Sequence, residues 1–333
     1  MKQKEIEHYV ELLASNMALQ ANFAGFAGTS KKMLLVEGKT DQIFMKKVIR
    51  EDVRCTTVNG AFSNEQMRSM SQDEMSFHHK MVIMEVVYGL AVFPALIRTK
   101  GLEKLSLYGL VDRDFDPEEA HTNTKKLFIT DTHDLETLML SSDSGIFSRL
   151  EKCTVTEEQL HSAYFISYQL AYLRSAIKQN VPKEFSTTPI RAGLYDMDYD
   201  RFVEEGRISV PRLILYMNEF RENGFSEQKT EPIIKKVLSA KTIKSKTDKD
   251  GTWKQSADGF HPGRIKDFFE IVNGHDILSV LRYYNPEAKE AYARWKSYAM
   301  NRQFETDLIN TYDFSMFKTT ELYRKMKAEE IVS

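Results

Sequence analysis

Two short apolar runs, each closed by a carboxylate, constrain this chain more than any other feature. Met33-Leu34-Leu35-Val36 leads into Glu37-Gly38-Lys39-Thr40-Asp41, and Leu105 to Val111 leads into Asp112-Arg113-Asp114-Phe115-Asp116. Apolar runs of this length, ended by glycine or charge, read as buried strands. A carboxylate at the C-terminal end of a buried strand is costly to desolvate unless a cation or a hydrogen-bond donor accompanies it. Two such ends point to one shared metal site.

Strands and helices alternate around these runs. Glu5 to Leu19 has the periodicity of an amphipathic helix, within an N-terminal segment 1–30. Thr40 to Ile49 reads as a helix with Ile43, Phe44, Lys47 and Val48 inward. Arg54 to Val58 is a β-branched second strand closed by the turn signal Asn59-Gly60. Ser63 to Met75 and His79 to Ile97 read as helices, a helical insertion over about 61–100. Leu105 to Val111 is the third strand and Lys126 to Thr130 the fourth. This alternation predicts an α/β fold over 31–145, a parallel sheet with helices on its faces. Ligands of such sheets bind beyond the carboxyl ends of the strands, where both acidic clusters fall.

The pattern changes beyond about residue 145. Thr156-Glu157-Glu158-Gln159 is a capping-box signature opening a long helix to about Gln179. Helices are expected over Pro211 to Glu222, Glu227 to Ala240, Pro262 to Val272, His275 to Tyr283 and Glu287 to Met300. The whole of 146–333 therefore reads as an appended, mainly α-helical domain. A length of 333 residues accommodates two such domains with cores of their own.

A formal net charge of -2 removes any whole-protein electrostatic argument for nucleic acid, while a local basic patch remains open. Cys55 and Cys153 fit neither a zinc pattern nor a disulfide framework, which points to a reduced, cytoplasmic protein. No run reaches the ~18 apolar residues of a membrane span. Met81 to Ile97, the most apolar stretch, is interrupted by Glu85 and Pro94 and reads as a buried helix.

Asp112-x-Asp114 at a strand end, where the chain turns, can bring two carboxylates to one hard cation. Mg²⁺ takes one or two carboxylates plus water and phosphate oxygens, which suits so sparse a site. Glu37 completes it as a third ligand or acts as a general base. Asp41 lies one helical turn further on and faces the same cleft if the helix forms. Two metals would allow in-line phosphoryl displacement. Taken singly, each acidic motif is also what a solvated loop looks like; the joint placement after two strands of one sheet is what favours chemistry.

These residues carry a resemblance. Val36-Glu37-Gly38 with Asp112-Arg113-Asp114 resembles the TOPRIM fold of topoisomerases, bacterial primases and the nuclease half of OLD-family proteins. Thr130-Asp131-Thr132-His133-Asp134-Leu135-Glu136 and Val272-Asn273-Gly274-His275-Asp276-Ile277-Leu278 are similar to motifs of a stand-alone TOPRIM family. Its best-understood class is the AriB effectors of the PARIS anti-phage system. The resemblance covers the core motifs of 33–140 and, beyond them, only the Gly-His-Asp segment. It implies that Glu37, Asp112 and Asp114 bind Mg²⁺ (Mn²⁺ as a substitute) and carry catalysis. Glu37-x3-Asp41 is similar to the Glu-x3-Glu of two-metal OLD nucleases, with Asp in place of the second Glu; Asp134 and Glu136 would supply the remaining ligands. It further implies a toxic effector held inactive by a separate AriA-like ATPase sensor subunit and released to cleave RNA, tRNA being the favoured class.

Several segments have two readings. Asp134 and Glu136 suit a metal, or equally a helix N-terminus capped by Thr132. His275 and Asp276 begin a helix, or place His275 near a scissile phosphate. Lys241, Lys244, Lys246, Lys249 and Lys254 surround Trp253, with Arg264 and Lys266 beyond. That arrangement suits a nucleic-acid backbone with a stacked base, or a solvated loop. Tyr283-Tyr284 and Trp295 read as core. Two other functions remain open: a haloacid-dehalogenase-type phosphatase with Asp112 as nucleophile, and a non-catalytic TOPRIM binding module. No G-x-x-x-x-G-K-[ST] occurs, so any ATP dependence belongs to another chain. Amphipathic helices offer a docking surface or a homodimer contact.

Overall fold

A computed structural model of the chain describes residues 32–58, 79–80, 82–84, 86–88, 91, 95, 106–113, 125–180, 199–204, 206–219, 260–264, 268–291 and 297–333. Its contacts divide into two compact units, one formed by Met1–Ser142 with Tyr312–Ser333 and the other by Asp143–Thr311. The expected helices over 5–19, 63–75 and 227–240 lie outside the described residues, as do Asp114, Lys241, Lys244, Lys246, Trp253, Lys254 and Trp295.

The first unit is built on a four-stranded sheet in the order β2-β1-β3-β4, with β1 Lys32–Val36, β2 Val53–Thr57, β3 Ser106–Val111 and β4 Leu127–Ile129. All three pairings are parallel. Met33 to Val36 and Leu107 to Val111 are buried without alternation, as expected of parallel strands covered on both faces. The α/β class and the four strand positions agree with the sequence pattern to within a residue or two. Helix α1, Lys39–Met45, connects β1 to β2 and buries Phe44 and Met45.

The described residues between 79 and 95 are helical, with Val82, Ile83, Val86 and Val87 buried. Gly109 is the reason they fit. A Cβ there would lie 2.4 Å from Ile83 Cγ2 and 3.1 Å from Val87 Cγ2, so the helix rests on the bare backbone of β3.

The α1 helix is shorter than the 40–49 span its sequence predicts. After Met45 the chain turns, Ile49 bridges to Val332, and the Arg50 amide donates to the Ile331 carbonyl at 3.0 Å. Backbone groups committed to those partners cannot extend the helix. Lys47, expected inward, is exposed.

The same contacts revise the domain boundary. The sequence places all of 146–333 in the helical domain, yet Tyr312–Ser333 belongs to the sheet unit. Phe314 and Phe317 meet Phe44 at ring-centroid distances of 5.3 Å each. Leu322, Met326, Ile331 and Val332 are fully buried, and Lys32 donates to the Glu329 carbonyl at 2.7 Å. Burial of this apolar set against the sheet unit outweighs proximity in sequence.

In the second unit, α3 (Glu157–Asn180) packs on α6 (Gly274–Tyr284). The capping box is realised: Thr156 Oγ1 accepts the Gln159 amide at 3.2 Å and Gln159 Oε1 accepts the Thr156 amide at 3.0 Å. Phe165, Tyr168, Phe260 and Phe268 form its aromatic core. The hairpin β5 (Val203–Glu204) and β6 (Arg207–Ile208) turns at Gly206, whose φ of 72° suits glycine. Helices α4 (Val210–Glu219), α5 (Phe268–Ile271), α7 (Pro286–Ala291) and α8 (Ser297–Thr311) complete it. The helix expected over 287–300 instead begins at Pro286, and α8 runs on to Thr311 because Phe304, Leu308 and Ile309 bury its inner face.

Candidate metal centre

Strands β1 and β3 are parallel neighbours with Val36 opposite Leu110, so their C-terminal ends fall together. Glu37 follows β1 directly and Asp112 follows β3 directly. The Asp112 backbone N–H donates to Glu37 Oε1 at 2.8 Å. Both residues are half-buried. The sheet has therefore joined the two acidic clusters that lie far apart in sequence. A carboxylate offers several lone-pair sites, so accepting an amide does not by itself use up its capacity as an oxygen ligand. Hard carboxylate oxygens at a partly open strand end fit Mg²⁺ or Mn²⁺.

The end of β4 joins the same network. The Arg113 amide donates to Thr130 Oγ1 at 2.9 Å, and Thr130 Oγ1 donates to the Thr132 carbonyl at 2.8 Å. Arg113 Nη1 donates to the Asp131 carbonyl at 2.9 Å. Asp131 Oδ2 in turn accepts the Leu322 amide at 2.9 Å, at the start of α10 (Glu321–Ala328), which follows the short helix α9 (Phe314–Phe317). Three strand ends are thus cross-braced by hydrogen bonds.

Lys80 was not foreseen from the sequence. It is 4% exposed, and its ammonium donates to the carbonyls of Asp112, at 2.5 Å, and Arg113, at 3.2 Å. The available signal was a single cation at the head of the apolar stretch 81–97; nothing in the spacing tied it to residue 112.

The remaining acidic candidates have structural work. Asp41 Oδ2 accepts the Gly38 amide at 2.7 Å, the reciprocal half of a capping box at the start of α1. Asp134 is the N-terminal cap of α2 (Leu135–Ser142), its Oδ1 accepting the Thr137 amide at 2.8 Å and the Thr137 hydroxyl at 2.9 Å. Its other oxygen lies 3.2 Å from His133 Nδ1. The helix-start reading of this segment holds, with Asp134 rather than Thr132 as the cap; Thr132 Oγ1 donates to the Asp134 carbonyl instead. Glu136 is buried in the first turn of α2, where the N-terminal end of a helix favours negative charge.

His275 belongs to the second unit. It opens α6 behind the Asn273 cap, whose side chain accepts the Asp276 amide at 3.3 Å, and its Nδ1 lies 3.0 Å from Glu305 Oε1. The helix start expected here is observed. Tyr283 and Tyr284 meet edge to face at 4.8 Å, and burial pushes the Tyr284 hydroxyl up to about 12. Among the described residues, no helix is long and apolar enough to cross a membrane.

No protein-family model matches this sequence, and no curated protein matches it.

Proposed function

We propose that this chain is a Mg²⁺-dependent nuclease of the TOPRIM type, with Glu37 and Asp112 as metal-binding carboxylates and Asp114 as the third. The observation that carries the reading is the 2.8 Å bond between the Asp112 amide and Glu37 Oε1 at adjacent parallel strand ends. It supports the pairing that the resemblance implies: one acid after the first strand and one after the third. A bound Mg²⁺ would activate water and offset charge developing on a transferring phosphate. Glu37 and Asp112 would orient the ion, and the amide bond would hold Glu37 in place.

A one-metal site is the version favoured. Asp41 has a shorter side chain than the second Glu of the two-metal nucleases, and Asp134 has both oxygens engaged, one by the Thr137 amide and hydroxyl and the other 3.2 Å from His133 Nδ1. The phosphatase alternative gains no support, because Asp112 ends the third strand of the sheet and that chemistry places its nucleophile after the first. RNA, with tRNA as the favoured class, is the proposed substrate. Lys241, Lys244, Lys246, Trp253 and Lys254 are the proposed contacts. A separate ATPase subunit is the proposed regulator, in an anti-phage role.

The test is incubation of the purified chain with total RNA and with DNA in Mg²⁺ or Mn²⁺. RNA cleavage is expected, falling by at least about 10²-fold in Glu37→Gln and Asp112→Asn variants of unchanged thermal stability. Undiminished cleavage by Glu37→Gln would sink the assignment. Cleavage of neither nucleic acid would favour a binding module.

A further inference from the structure

The main chain of Asp112 is gripped from both sides. Glu37 accepts its N–H, and Lys80 donates to its carbonyl and to that of Arg113. Fixing the peptide groups on both sides of the Asp112 Cα fixes the direction of its Cα–Cβ bond, and so where its carboxylate can point. A lysine buried to this depth carries a desolvation cost, which its bonds to the two carbonyls help to offset. Such a placement is unfavourable without a role at the strand end.

The helix delivers Lys80 rigidly. Lys80, Ile83 and Val87 are three and seven residues apart and share one helical face. Ile83 and Val87 rest on the bare backbone of Gly109, so the same face sets Lys80 against the end of β3. Packing two residues into the strand thereby sets the position of an ammonium near residue 112.

We propose that Lys80 is a positioning residue of the strand-end site. It holds the Asp112–Arg113 main chain so that the Asp112 carboxylate meets a divalent cation together with Glu37. This rests on the reading of that site as a cation site. Groups that orient metal ligands, without touching the metal, alter affinity by about 10- to 100-fold when replaced.

Mn²⁺ binding to the full chain, followed by the paramagnetic resonance of free and bound ion, tests this without reference to cleavage. Lys80→Met keeps the aliphatic stem and removes charge and donors, whereas Lys80→Arg keeps both. Lys80→Met is expected to weaken Mn²⁺ binding at least about 10-fold and to broaden the bound-ion spectrum. Lys80→Arg is expected to restore most of the affinity and the wild-type line shape. Should Lys80→Met fail to fold, Lys80→Leu, which likewise offers no donor to the carbonyls, reads the same difference. Wild-type affinity and line shape in a folded Lys80→Met or Lys80→Leu protein, with binding lost in Glu37→Gln, would overturn the role of Lys80 alone. No Mn²⁺ binding by the wild type would overturn the cation site, and the inference with it.

Discussion

Glu37, Asp41 and Asp134 are all carboxylates that accept main-chain amides, and what separates them is whose amide each accepts. Asp41 and Asp134 bond within three residues of themselves, at the start of the helices they cap. Glu37 bonds to residue 112 on a neighbouring strand. Local bonds of the first kind are visible in sequence as capping patterns; the second kind exists only once the sheet has formed. A different residue of the same unit tests burial directly. Cys55, on β2, is 6% exposed, and burial pushes its thiol from an ordinary 9.0 up to about 12. The neutral thiol is thus favoured in the folded state. Its contribution to stability is complete below the unfolded value and is lost as pH rises from there toward the folded value. Urea midpoints of a Cys153→Ala protein are expected to fall between about pH 8 and 11, and those of Cys55→Ala/Cys153→Ala to fall less steeply. Equal slopes in the two proteins would show that Cys55 ionisation is not linked to folding.

At the scale of elements, the four strands and the long helix α3 were legible because their signals are local. Apolar runs gave β1, β3 and β4, a β-branched run before Asn59-Gly60 gave β2, and Thr156 with Gln159 gave the helix start. The end of α1 was not legible, since its stop comes from Val332 and Ile331, hundreds of residues away. Nor was the significance of Gly109, which reads as a weak point in a strand until Ile83 and Val87 are seen lying over it. Gly109→Ala is expected to destabilise the sheet unit by about 1–3 kcal/mol, the usual range for overpacking a core. In an Ile83→Ala background, which lacks the Cγ2 that the new methyl would meet, the same substitution is expected to cost less. Chemical denaturation of the single and double variants checks both. A neutral Gly109→Ala would mean that the helix shifts off β3 without cost.

At the scale of the whole chain, Tyr312–Ser333 completes the sheet unit despite its distance in sequence. Phe317, Leu322, Met326, Ile331 and Val332 are each fully buried there. At about 1.5–3 kcal/mol for each such side chain, the gross gain from their burial is large beside the net stability of an ordinary domain, before the cost of ordering the segment. A chain ending at Thr311 is therefore expected to lose protection from hydrogen exchange in Leu34 to Val36. Native-like protection of those amides in the truncated protein would show that the sheet stands without the segment.

By itself the sequence determined the α/β class, the strand positions, the capping of α3, and the two acids that stand at strand ends. Those properties follow from periodicity, apolar runs and short-range hydrogen bonding, all written within a few residues. Only the tertiary structure decided that the Asp112 amide bonds to Glu37, that Lys80 grips the same strand end, and that the last helices belong with the sheet. Strand pairing and apolar burial join residues by location in space, and no local pattern records which distant partner will arrive.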